Sequence, residues 1–257
     1  KNNVESNTKL KIGTTTQTVL TTCSTTSTPN TITLQITSAI SAAANLDITI
    51  PSLRNPLNTG STASFTIVTN TDDGFAIDTI TTGLNLAADA ISPSNFQSVT
   101  LVPSSNEAGA MTSYLIKVVP TIAHSATDRL IFQFDSSYTF NTTVKCQVLL
   151  PAEGSVVSCV PDSSGQITVT LGQSVPALTE CQIMVTGVKN PIFAQTYSSF
   201  IAKTATSGSF LINQKLSGIS AGIMPATITT ADVTRSIKHS SQPAVFTFTF
   251  SPKNQYP

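Results

Sequence analysis

Tryptophan is missing altogether, only 10% of the 257 residues are charged, and histidine occurs just twice. Each shortage excludes something. Thirteen basic residues balance thirteen acidic ones and neither sign clusters, so there is no basic stripe for nucleic acid and no basic amphipathic helix for a membrane surface. No apolar run nears the roughly 18 residues that a membrane-crossing helix needs, and no span is expected. His124 and His239 stand apart from any Gly-x-Ser-x-Gly elbow, His-x-x-x-His pair or reactive-cysteine context, which leaves nucleophilic and metal catalysis without apparatus. Acid pairs such as Asp72 and Asp73 have no counterpart in the repeat described below. The expectation is a protein that is not an enzyme and has no cofactor or metal. Lack of Trp also excludes the Cys…Trp…Cys core of antibody domains.

What is abundant points one way. Serine and threonine make up about 29% of the chain, and the branched β-carbon of Thr suits a pleated surface better than a helix. Composition therefore leans all-β, and 257 residues suffice for two domains with cores of their own. The four cysteines, Cys23, Cys146, Cys159 and Cys181, lack the C-x-x-C spacing of zinc or redox motifs. That favours disulfides or inert thiols and an oxidising, extracellular or cell-surface setting. The chain starts at Lys1 without a charged-then-apolar leader, as a mature or trimmed form would.

The chain's main organising feature is a long-range repetition. Cys181-Gln182-Ile183-Met184-Val185-Thr186-Gly187-Val188-Lys189-Asn190-Pro191 has a relative in Leu46-Asp47-Ile48-Thr49-Ile50-Pro51-Ser52-Leu53-Arg54-Asn55-Pro56. The Asn-Pro pairs lie 190 − 55 = 135 positions apart. In the same register Phe65 falls on Phe200, Phe75 on Phe210, Ile77 on Ile212, Gly83 on Gly218, and Ile32-Thr33-Leu34 on Ile167-Thr168-Val169. A shared offset kept at apolar anchors and turn glycines reads as one structural unit used twice.

Alternation marks individual strands at 31–36, 114–118 and, most strongly, 244–251, where Phe246, Phe248 and Phe250 share a face. Asn70-Thr71-Asp72-Asp73-Gly74 reads as a turn rather than a calcium loop, because its counterpart at 206–209 has no acids. The run with Leu84, Leu86, Ala87, Ala88 and Ala90 reads as a short helical turn, and 104–110 with Gly109 as the border between units. The segments 144–150 and 155–160 read as a hairpin around Pro151-Ala152-Glu153-Gly154, with Cys146 and Cys159 as the preferred disulfide. Cys23 and Cys181 are either buried thiols or a second bridge. Asn141-Thr142-Thr143 is an acceptor for an N-linked glycan, and the Thr/Ser-dense stretch 14–30 offers sites for O-linked sugars.

The final strand has an internal relative too: Phe246-Thr247-Phe248-Thr249-Phe250-Ser251-Pro252 lines up with Tyr114-Leu115-Ile116-Lys117-Val118-Val119-Pro120. It thus reads as the opening strand of a further unit, while the first unit has no copy of 113–135. Strand addition between successive molecules would satisfy both ends. Two other readings stand beside it: the strand folds back on its own unit, or the chain is a piece of a longer tandem array.

Short Thr/Ser-rich strands followed by Ile-x-Val-Thr-Gly-Val-Lys-Asn-Pro and an aromatic strand resemble the repeats of large secreted or surface proteins of single-celled eukaryotes such as ciliates and algae, and immunoglobulin-type sandwiches generally. The resemblance implies a coat, stalk or filament component. The expected architecture is all-β: two tandem Ig-like antiparallel sandwiches at 1–105 and 106–242, then a donor-type strand at 243–257. The expected partners are further copies of the chain, joined head to tail, and attached N- and O-glycans. An adhesin or glycan-binding module is the alternative.

Overall fold

A computed structural model describes residues 9–12, 15–17, 20–22, 31–36, 39–51, 53–88, 90–150, 156–238 and 240–254. Among them every regular element is a β-strand. The chain divides into two compact units, 1–56 and 57–257.

The first unit holds β1 (Lys9–Ile12), β2 (Thr15–Gln17), β3 (Leu20–Thr22), β4 (Thr33–Gln35) and β5 (Leu46–Thr49). β1 lies between β2 and β5 in an antiparallel sheet, and β3 pairs with β4. Leu10 is fully buried.

The second unit begins with the hairpin β6 (Ile67–Asn70) and β7 (Ala76–Ile80). A sandwich follows, built from β8 (Ser94–Pro103), β9 (Met111–Pro120), β10 (Arg129–Gln133), β11 (Thr139–Leu150), β12 (Val156–Pro161), β13 (Gln166–Leu171), β14 (Cys181–Lys189), β15 (Thr196–Tyr197), β16 (Ile201–Ala205), β17 (Leu211–Lys215) and β18 (Ala221–Gly222). One layer runs β11-β14-β9-β8, the other β17-β16-β10-β13-β12. The layers join where the start of β8 pairs in parallel with β17.

Alternation explains the core. β9, β10 and β13 bury every second residue, because successive side chains point to opposite faces of a pleated strand. Tyr114, Ile116, Val118, Ile183 and Val185 from one layer and Phe132, Ile167, Val169 and Phe200 from the other form one cluster. Edge-on aromatic contacts, such as Tyr114 with Phe134 at 5.5 Å, tie the layers together. Each pair of this kind adds about 0.5–1.5 kcal/mol beyond its area burial. The chain closes with a separate hairpin of β19 (Thr230–Arg235) and β20 (Phe246–Ser251).

Three sequence expectations change. The domain limits at 105/106 and 242/243 are not where the chain divides: the first falls in the β8–β9 loop and the second between the paired strands β19 and β20. The run from Leu84 to Ala88 contains no helix, because Leu84 and Leu86 spend their backbone groups on an extended partner. The Leu84 carbonyl accepts the Phe65 N–H, the Leu86 carbonyl accepts that of Thr62, and the Leu86 N–H goes to the Thr62 hydroxyl. Finally, among the described residues β11 and β12 do not pair with each other. β11 pairs with β14 and β12 with β13, so the two strands belong to different layers, and residues 151–155 between them lie outside the described residues.

Candidate functional site: a buried hairpin and its exposed counterpart

The hairpin β8–β9 completes the sandwich. It pairs Pro103 with Tyr114 and Ser98 with Val119, and its loop is closed by the Ser104 N–H donating to the Ser113 carbonyl at 2.8 Å and the Ser113 N–H to the Ser104 hydroxyl at 3.1 Å. Gly109 in this loop adopts φ 70°, a region that costs a side chain free energy. The far edge of β9 pairs with β14, Tyr114 opposite Val185, Ile116 opposite Ile183 and Val118 opposite Cys181.

A polar clasp holds the loop. Asn190, 2% exposed, accepts the Tyr114 hydroxyl through Oδ1 at 2.5 Å, and its Nδ2 donates to the carbonyls of Ser105 at 2.9 Å and Glu107 at 2.8 Å. Its backbone N–H donates to the Ala110 carbonyl at 2.9 Å. One Asn side chain thereby satisfies three buried or half-buried partners that would each cost free energy if left bare.

The C-terminal hairpin has the same pairing moved along the chain by 246 − 114 = 132 positions. Arg235 pairs with Phe246 and Thr230 with Ser251, the Ser236 N–H donates to the Val245 carbonyl at 2.9 Å, and the Val245 N–H to the Ser236 hydroxyl at 3.0 Å. Ser241, at φ 61°, stands where Gly109 does. Phe246, Phe248 and Phe250 therefore occupy the places of Tyr114, Ile116 and Val118. The environments are opposite: the three phenylalanines are 56%, 68% and 55% exposed, their counterparts 0%, 1% and 3%. Among the described residues no strand pairs with the outer edge of β20, the edge that on β9 carries β14.

The root of this hairpin is fixed. Glu107 accepts the Thr227 N–H with one carboxylate oxygen at 3.1 Å and pairs with Lys253 Nζ through the other at 2.5 Å. Asn254 Nδ2 donates to the Ala108 carbonyl at 3.0 Å. The cation and the Thr227 N–H hold the Glu107 carboxyl below its ordinary pKa.

A second set of correspondences runs at 135. β6–β7 pairs Ile67 with Ile80, Thr69 with Asp78 and Asn70 with Ala76. β16–β17 pairs Ala202 with Lys215, Thr204 with Asn213 and Ala205 with Leu211, with a register irregularity at the same step. The turn bonds match as well, Phe75 N–H to the Thr71 hydroxyl at 3.1 Å and Phe210 N–H to the Thr206 hydroxyl at 3.2 Å. Ala43 and Leu178 both sit at φ 60°. β5 stands where β14 starts, and β5 pairs with β1 alone among the described residues. Asn55, the counterpart of Asn190, is exposed, and Phe65 and Ile77 are exposed where Phe200 and Ile212 are buried.

The remaining sites of the sequence reading are placed as follows. Cys146 and Cys159 are joined by a disulfide with Cα atoms 5.6 Å apart, which ties the outer strands of the two layers. Cys181 is a buried thiol whose pKa burial raises to about 11, so it is unreactive near neutral pH. Cys23 and His239 lie outside the described residues. Asn141 is exposed on the outermost strand of its layer, where β11 bulges between Phe140 and Lys145. His124 is buried, and its Nδ1 lies 3.5 Å from Asp128 Oδ2. Sequence reasoning singled out the Asn-Pro pairs but gave them no task; the clasp supplies one for Asn190.

No protein-family model and no curated protein matches the chain. Two solved structures are similar at low identity. One is BslA, a bacterial hydrophobin, 14% identical, with the match covering 50% of this chain and 99% of that one at a TM-score of 0.29. The other is BcpA*(D312A), the major pilin subunit of Bacillus cereus, 10% identical, covering 74% of this chain and 61% of that one at a TM-score of 0.35. The chain thus spans about three fifths of the pilin's length.

Proposed function

We propose that this chain is a structural subunit of an extracellular filament or surface coat, made of tandem Ig-like modules that join head to tail by β-strand complementation. The two internal offsets support a repeating unit whose opening hairpin occurs buried at β8–β9 and exposed at β19–β20. One observation carries the reading: the strand that copies the buried β9 presents Phe246, Phe248 and Phe250 to water, and among the described residues no strand pairs with its outer edge. Such an edge templates further pairing. Covering a Phe yields roughly 1.5–3 kcal/mol, so three yield roughly 5–9 kcal/mol. Association itself costs an estimated ~4–15 kcal/mol. The phenylalanines alone are therefore marginal, and a ladder of backbone hydrogen bonds must contribute.

The proposal gives the chain no catalytic task. It places an N-glycan on Asn141, which is exposed in the stretch of β11 without register partners on β14, and O-glycans on the Thr-rich N-terminal stretch. Deleting residues 243–257 tests the assembly. In negative-stain images the full chain forms filaments and the truncated chain stays as discrete particles. Filaments growing at an unchanged rate after the deletion would refute strand donation, and discrete sugar-binding particles from the full chain would favour an adhesin.

A further inference from the structure

We infer that the whole hairpin β19–β20, rather than its last strand alone, docks on β5 of a second copy of this chain in a fixed antiparallel register, with Phe246 opposite Ile50, Phe248 opposite Ile48 and Phe250 opposite Leu46. This inference rests on the filament reading above and adds to it the partner surface and the alignment of every pair.

The register follows from a template inside the molecule. β9 meets β14 with Tyr114 opposite Val185, Ile116 opposite Ile183 and Val118 opposite Cys181. Advancing the β9 residues by 132, the offset at which β19–β20 reproduces β8–β9 pair for pair, gives Phe246, Phe248 and Phe250. Moving the β14 residues back by 135, the offset that superposes the Asn-Pro pairs, gives Ile50, Ile48 and Leu46. The two shifts are fixed independently, yet they bring apolar residues opposite apolar ones and leave Thr247 opposite Thr49 and Thr249 opposite Asp47. A slip by one residue would turn the phenylalanines to the other face of the sheet.

Two observations select the hairpin over a single strand. β20 is already fully paired with β19, six residues on each side, so donating it alone would break that ladder. The loop that closes the hairpin also matches the loop Asn190 clasps. Asn55 is exposed in an Asn-Pro pair of its own, and in the docked pair its side-chain amide would take the carbonyl of Ile237 as Asn190 takes that of Ser105. The occupant is a second copy because every copy carries both pieces that match the internal template, the hairpin and β5, so a head-to-tail contact of this kind can repeat from one molecule to the next.

Cysteine cross-linking reads the register directly. In a Cys23→Ser background the double variant Thr247→Cys/Thr49→Cys is assembled, oxidised with diamide and run on a non-reducing gel. Directly opposite residues bring their β-carbons to about 4.5–5.5 Å, whereas diagonal neighbours stay about 7–8 Å apart, beyond disulfide reach. The expected result is a ladder of covalent dimers, trimers and higher multimers that collapses on reduction, at least tenfold more abundant than for the diagonal pair Thr247→Cys/Asp47→Cys. Filaments without that ladder, or with a stronger diagonal one, overturn the register and leave the filament reading intact. A cross-link confined to single chains overturns the second copy as the partner. No filaments from the parent chain overturns the filament reading and this inference with it.

Discussion

The Tyr114 hydroxyl donates to Asn190 Oδ1 across 76 positions of sequence, with both side chains buried. That bond and the two carbonyls on Asn190 Nδ2 fasten the β8–β9 loop to the end of β14. Asn190→Ala leaves a buried hydroxyl and two carbonyls short of partners, and should cost about 2–4 kcal/mol of stability, read as a lower Tm. Asn55→Ala removes an exposed side chain and should leave Tm unchanged while raising the concentration at which filaments appear.

The paired positions Ile116 and Phe248 separate folding from assembly. Ile116→Ala empties a core site and should destabilise by about 2–5 kcal/mol in chemical denaturation. Phe248→Ser, at a side chain 68% exposed, should shift the denaturation midpoint by less than about 0.5 kcal/mol and abolish filaments by light scattering.

The disulfide between Cys146 and Cys159 closes a loop with a sequence separation of 13. In the chain-entropy account such a link is worth about 3 kcal/mol. Cys146→Ser/Cys159→Ser should lower the unfolding free energy by about that amount in urea titrations, with the strand content by circular dichroism retained at 25 °C.

His124 gives the sandwich an acid-sensitive point. Its backbone is bonded in both directions to Val175 at 2.8 and 3.0 Å. Burial lowers its pKa from the ordinary value, with Asp128 and Asn213 pulling the other way. The imidazole is thus held neutral in the folded chain, while the unfolded chain protonates it near pH 6.5. Its contribution is complete above that pH and is lost as pH falls from about 6.5 toward the folded pKa. Thermal melts at pH 7.5 and 5.5 should show a drop in Tm that is smaller in His124→Gln.

The strands were legible because their alternation is local. Tyr114, Ile116 and Val118 announce a buried face by themselves, and so do Phe246, Phe248 and Phe250. The last three also show where legibility stops, since the same pattern serves a covered strand and a bare one. β11 and β12 read as partners because they are neighbours in sequence, but the described strands pair with β14 and β13 instead, since pairing is decided by which edges the layers leave open. Gly109 read as a border because loop chemistry is alike between domains and within a hairpin. The Asn-Pro pairs are visible as a repetition, but the task of Asn190 needed Ser105 and Glu107 brought across 85 and 83 positions of sequence.

The grip of Glu107 on both Thr227 and Lys253 has a mechanical consequence. A ribbon pinned at both feet behaves as a bracket, so in the proposed filament each joint would inherit its angle from Glu107 and Asn254 instead of from slack linker. Stretching the proposed filament would load the new ladder in shear, where its bonds must fail together, and Glu107→Ala would leave each hairpin foot held by Asn254 on Ala108 with less resistance to bending.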